Sequence, residues 1–305
     1  MSPNRLKAYF SLILVAAIWG AAGPVIKFTL EGIDPLPFLS YRFAISAVLS
    51  LAFFVYKIRK GKQFRRLKAN FPLAILYGLL AVPISLGILF IGLDKTTVLD
   101  LTLIGVAGPL IVTAGGALFF HDHITHKERI GISIVIVGVI LNSIFPILRV
   151  GSDIRLTGNL LLLVFLAADA ASVLTAKKAV QIGIKSSNLT NLAFIIGALT
   201  LIPLTALIYG PGNLINSILN LELKYHLGVW YMALLSGSLA YYLYVRGQRT
   251  IEVSEAVLFN YLQPLFMVPL AVFWLGEKLS ATFLIGAVII AAGLFIAEYK
   301  KGNKK

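Results

Sequence analysis

The 305 residues are 58% hydrophobic and only 13% charged, with a mean hydropathy of +0.89, whereas ordinary soluble domains carry about 25% charged residues. That balance excludes a soluble globular domain and a disordered chain, and predicts an all-α integral membrane protein. The absence of cysteine excludes disulfide frameworks, thiolate metal sites and cysteine nucleophiles, and the net charge of +14 has to be explained by where the basic residues stand.

Ten hydrophobic segments follow one another at about 8–27, 36–56, 71–92, 97–120, 130–148, 158–176, 188–209, 228–245, 254–275 and 280–298. Each approaches the ~20 residues that a helix needs to cross a ~30 Å hydrocarbon core, and each is too long for a barrel strand. Arg5 and Lys7 ahead of the first segment resemble the start of a signal peptide, but the run is long and nine more follow, so a retained helix is expected. Basic residues concentrate in alternate connections: Arg5 and Lys7, the run from Lys57 to Lys68, Lys127 and Arg129, Lys177, Lys178 and Lys185, Arg246 and Arg249, and the lysines after Tyr299. The positive-inside rule then places both termini in the cytoplasm of a multi-pass plasma-membrane protein. The charge is accounted for by loops facing anionic lipid, so nucleic acid is not an expected partner.

The chain repeats itself. Ser254 to Lys278 overlays Leu99 to His123 so that Asp100 meets Glu255, Pro109 meets Pro264 and Asp122 meets Glu277, and the register continues through Gly131 with Gly286 and Gly138 with Gly293. A weaker match pairs Ala17 with Ala167, Lys27 with Lys177 and Leu39 with Leu189. The units are 1–150 and 151–305, with five helices each. An odd number makes the second unit enter from the opposite face, which gives two inverted repeats, a common plan of secondary transporters.

A charge at mid-bilayer costs at least ~2.5–3.5 kcal/mol unless it faces a partner or water. Two stand out: Arg42 in the second segment and Asp169 near the middle of the sixth. Arg42 can alternatively snorkel to the interface. The short side chain of Asp169 cannot, which favours a place in a substrate cavity over a buried structural hydrogen bond. Asn260 and Gln263 are three apart and share a helix face, and Trp19 and Tyr241 are candidate walls of the same cavity. Pro264 is expected to free the carbonyl of Asn260, and Pro109 that of Gly105. Asp100 and Glu255 stand at helix starts, where an acid suits the dipole and Thr97 to Asp100 fits a capping box; gating contacts are the compatible second reading. The glycines of the fifth and tenth segments point to close helix packing.

His121, Asp122, His123 and His126 could ligate a metal, although a short loop offers no obvious second shell. A membrane-embedded lipid-modifying enzyme built on that loop is the second function class, and a channel or lipid-moving protein the third. No Gly-x-Ser-x-Gly and no phosphate-cradling loop appears, so no enzyme is expected and transport energy has to come from a gradient.

Trp19-Gly20 in the first segment, Tyr41-Arg42-Phe43 in the second, and Pro264 followed by Leu275-Gly276-Glu277-Lys278-Leu279 and by Gly286 and Gly293 resemble the EamA-like family of the drug/metabolite transporter superfamily. The second half fits best; the first half has His121-Asp122 where Gly276-Glu277 stands later. The resemblance implies a ten-helix exporter of small metabolites such as amino acids, and no cofactor is expected. Membrane lipid and a small-molecule metabolite are the partners it implies, with homodimerisation left open. If protons couple to transport, Asp169 is the best-placed carrier, and its charge depends on whether a cation such as Arg42 pairs with it.

Overall fold

The structure, a computed structural model, describes residues 3–57, 69–121, 123–150, 153–248 and 259–298. In hydrocarbon every backbone N–H and C=O must be satisfied within the chain, and helices achieve this segment by segment. The chain accordingly forms α1 (Pro3–Thr29), α2 (Pro35–Lys57), α3 (Phe71–Lys95), α4 (Val98–Phe120), α5 (His126–Val150), α6 (Asp153–Gln181) and α7 (Ser186–Tyr209). A short α8 (Pro211–Leu219) precedes α9 (Leu223–Trp230), a π-helical stretch (Tyr231–Leu239) and α10 (Ala240–Gln248). A 3-10 turn (Phe259–Leu262) then leads into α11 (Gln263–Phe273), and α12 (Ala281–Glu298) closes the described chain. Among the described residues there is no strand.

Among the described residues six helices are long and apolar enough to cross a membrane, and Phe259–Phe273 and Ala281–Ala297 are shorter apolar helices. Each hydrophobic segment of the sequence falls on helix, apart from residues 254–258, which lie outside the described ones. The surface carries large apolar side chains such as Phe10, Leu118, Leu207 and Phe273, as a lipid-facing wall requires. Helix α8 has no counterpart in the sequence reading, which left a polar connection around Asn213. Gly210 turns the chain at φ 84° and Pro211 opens the new helix, whose two faces suit the plane of a membrane interface.

Several helices are interrupted within their length. Helix α3 contains a π-helical turn at Leu80–Ile84 around Pro83, α4 breaks at Ala107, and the stretch before α10 is π-helical. The two prolines expected to free a carbonyl a turn earlier stand at helix starts instead. Pro109 and Pro264 each stand in the first turn of a new helical piece, where the missing N–H would have had no partner in any case. The N–H of Ala107 turns back to the carbonyls of Gly105 and Ile104. Each proline therefore starts a half-helix instead of bending a continuous one.

Helices α5 and α12 approach backbone to backbone. A Cβ on Gly131 would stand 2.5 Å from the carbonyl oxygen of Gly293, and a Cβ on Gly293 would stand 2.9 Å from that of Gly131. Overpacking at such a contact costs about 1–3 kcal/mol. Gly293→Ala is therefore expected to lower the thermal unfolding midpoint in detergent, whereas Gly212→Ala, where nothing lies within 4 Å, leaves it unchanged.

Candidate functional site

Tyr241, on the first turn of α10, is the centre of a polar group deep in the bundle. It lies within electrostatic range of Asp169 on α6, Tyr77 on α3 and Arg42 on α2. Tyr241 is 39% exposed and Asp169 is half-buried. The hydroxyl of Ser85, directly after the π-helical turn of α3, is near the Asp169 carboxylate but short of hydrogen-bond geometry, and it has no other partner.

Aromatic rings wall this group. Trp19 meets Tyr241 edge-on at 5.4 Å, and its Nε1 donates to the carbonyl of Ser236 at 3.1 Å. Phe194 stands 6.5 Å from Tyr241 and 5.8 Å from Phe43. The guanidinium of Arg42 lies 5.1 Å from the centre of the Phe43 ring and 5.9 Å from that of Phe90. Arg42 is 5% exposed, so its side chain is buried among its neighbours in the bundle. Asn260 and Gln263 are 3.4 Å apart through their side chains, and the backbone of Gln263 packs against Gly20, next in the chain to Trp19. Tyr77, Ser85, Phe90 and Phe194 were not singled out from the sequence. Only Ser85, a lone hydroxyl just past Pro83 in an apolar run, carried a visible signal.

A second group lies where α4 and α6 begin. Asp100 is 1% exposed and accepts from Arg155 Nε at 2.7 Å and Nη2 at 3.0 Å. The Thr96 hydroxyl lies 2.9 Å from the same carboxylate and also meets Asn159, and Asn142 approaches at 3.4 Å. The capping box is half realised. Thr97 accepts from the N–H of Asp100 at 3.1 Å, but the carboxylate that should return the bond is committed to Arg155. Glu277 takes over from across the bundle, accepting from the N–H groups of Val98 at 2.7 Å and Leu99 at 2.9 Å. Burial pushes the Glu277 carboxyl above its ordinary pKa, the two N–H groups pull it back, and Asp100 and Lys27 act in opposite senses. Lys27 donates to the carbonyls of Leu93 and Asp94 at 2.9 and 2.8 Å. Glu255, the counterpart of Asp100, lies outside the described residues, as does Asp122 of the histidine loop. Among the described residues no three acidic, histidine or cysteine side chains gather as metal ligands.

The sequence profile of the EamA-like transporter family matches the chain twice, at residues 6–144 and 156–299. The chain is 24% identical over 300 residues to the uncharacterized transporter YyaM of Bacillus subtilis, covering 97% of this chain and 94% of that protein. It is 26% identical over 290 residues to a protein of Salmonella typhimurium named "Probable amino-acid metabolite efflux pump", covering 94% and 93%. A solved crystal structure superposes with a TM-score of 0.63 at 14% identity, covering 97% of this chain and 98% of the other, which is a likeness of fold. The family and these relatives are named as transporters or efflux pumps, not as enzymes.

Removing one partner of a buried ion pair leaves the other uncompensated. Arg155 is itself 36% exposed, so water offsets part of that loss, and Arg155→Ala is expected to cost about 2–4 kcal/mol. The measurement is thermal unfolding beside Lys224→Ala, which removes the exposed pair with Glu222 and should leave the midpoint in place.

Proposed function

The chain belongs to the EamA-like transporter family, and from that premise we propose that it is a secondary-active exporter of small polar metabolites, with amino acids the leading class. It works by alternating access between two inverted five-helix repeats, 1–150 and 151–305, which together supply ten membrane-crossing helices. The carrying observation is the polar group of Tyr241, Asp169 and Arg42, to which both repeats contribute residues. Support comes from the twofold family match and from the interrupted helices, since half-helices at mid-membrane build the sites of many transporters. The Asp100–Arg155 pair joins one repeat to the other at a single face, as a gate closed on that side would. The same reading places the protein in the plasma membrane with both termini cytoplasmic. With single cysteines on the cysteine-free chain, an impermeant reagent on intact cells should label Asn213→Cys and spare Lys62→Cys, whose position lies outside the described residues.

Asp169 is the proton carrier of this cycle. Among the described residues it forms no ion pair, so nothing fixes it as a permanent counter-ion. Counterflow in proteoliposomes against a metabolite panel, with and without a pH gradient, tests the reading. Wild type should respond to the gradient, and Asp169→Asn should lose that response together with about tenfold or more of its transport, the equivalent of ~1.4 kcal/mol. Equal movement with and without the gradient, unchanged in the variant, removes proton coupling through Asp169. No movement of any metabolite by folded protein removes the exporter reading.

A further inference from the structure

We propose that Arg42 is the carboxylate receptor of the internal site, and that the solute it holds is a zwitterion of the α-amino-acid type whose ammonium is directed to Asp169. This rests on the exporter reading and specifies its chemistry. Arginine stays protonated in proteins, so the buried guanidinium is a full positive charge. Its Nε and Nη1 are fully buried and have no hydrogen-bond partner, and among the described residues no carboxylate forms an ion pair with it. A guanidinium in that position is costly unless an anion completes it. The faces of Phe43 and Phe90 beside it stabilise the cation but offer no acceptor oxygen. The planar fork of donors fits a carboxylate in two parallel bonds. Ser46 and Ser50, one and two turns further along α2, also present buried hydroxyls without partners, so this helix face is furnished for a polar occupant.

The partner charge selects the kind of anion. Tyr241 is within electrostatic range of both Arg42 and Asp169, while the two charges are not paired with each other. With Tyr241 a neighbour of both charges and neither of them in an ion pair among the described residues, a small solute that carries both signs would answer each of them. A simple monoacid satisfies Arg42 and leaves Asp169 unanswered; a simple amine does the reverse.

The test uses the full chain in proteoliposomes and counterflow of the twenty amino acids. For whichever amino acid moves fastest, its amide, which keeps the ammonium but lacks the carboxylate, is added as competitor. A charge-assisted hydrogen bond is worth about 1.5–3 kcal/mol, so the amide should compete about tenfold or more worse than the parent amino acid on wild type. In Arg42→Gln that discrimination should collapse, and Arg42→Lys, which keeps the charge without the fork, should restore part of it. An amide that competes as well as its amino acid on wild type overturns the inference while export stands, and this arm needs no variant to fold. Discrimination that survives intact in folded Arg42→Gln overturns it as well. If no amino acid moves but another metabolite does, export survives and the zwitterion assignment falls; if nothing moves, the exporter reading falls first.

Discussion

An ionised group removed from water needs an opposite charge or a set of hydrogen bonds, and that requirement sorts the buried charges of this protein into two sets. Asp100 is fully answered: Arg155 grips it with two donors, and Thr96 and Asn142 approach its remaining lone pairs. Arg42 and Asp169 are not answered by any ion pair among the described residues. The first set can hold helices together, because its charges are neutralised whether or not a solute is present. The second set lacks such a partner among the described residues, which the proposed solute would supply. The division between structure and function in this bundle follows the division between satisfied and unsatisfied charge.

The helix interruptions serve the same end. A regular helix uses up its backbone groups internally and presents only side chains, whereas a π-turn or a helix start leaves peptide groups free to meet neighbours or solute. Pro83 lies within the π-turn just ahead of Ser85, and the π-helical stretch Tyr231–Leu239 ends just before Tyr241. The residues that face Asp169 thus issue from the points where the backbone departs from regularity. Interruption costs stability in hydrocarbon, and its coincidence with the polar group argues that it is retained for what it positions.

Much of this was legible in the sequence, and the reasons are physical. Length and apolarity locate helices because a bilayer tolerates few alternatives, and every described segment expected to be hydrophobic is helical. Asp169, Arg42, Trp19 and Tyr241 stood out because a polar or amphipathic residue in an apolar run is expensive. Three features were not legible. The burial of Arg42 depends on how far α2 is rotated, which periodicity in an all-apolar helix does not fix. Tyr77 and Phe90 look like ordinary aromatic filling until tertiary packing places them beside charges. The pairing of Asp100 with Arg155, and of Glu277 with the N-terminus of α4, joins residues far apart in the chain, where a local capping box was the nearer explanation.

That exchange of caps has a mechanical consequence. A helix start capped by its own residues carries its cap when it moves, but α4 borrows the Glu277 carboxylate from the turn after α11 and gives its own Asp100 to α6. Moving α4 away from α6 and α11 would therefore expose two orphan N–H groups and separate a salt bridge in one step, so intermediate positions are worse than either end. Such an arrangement favours discrete closed and open states over a graded one, since water must enter before the lost bonds are replaced. The alternating cycle proposed here requires that kind of bistable end. The unsatisfied charges at Arg42 and Asp169 supply the other requirement, a site whose energy changes with occupancy. Helices α1, α3 and α6 contribute to both groups, so in the proposed cycle occupancy of the site and closure of this end act on the same pieces of structure.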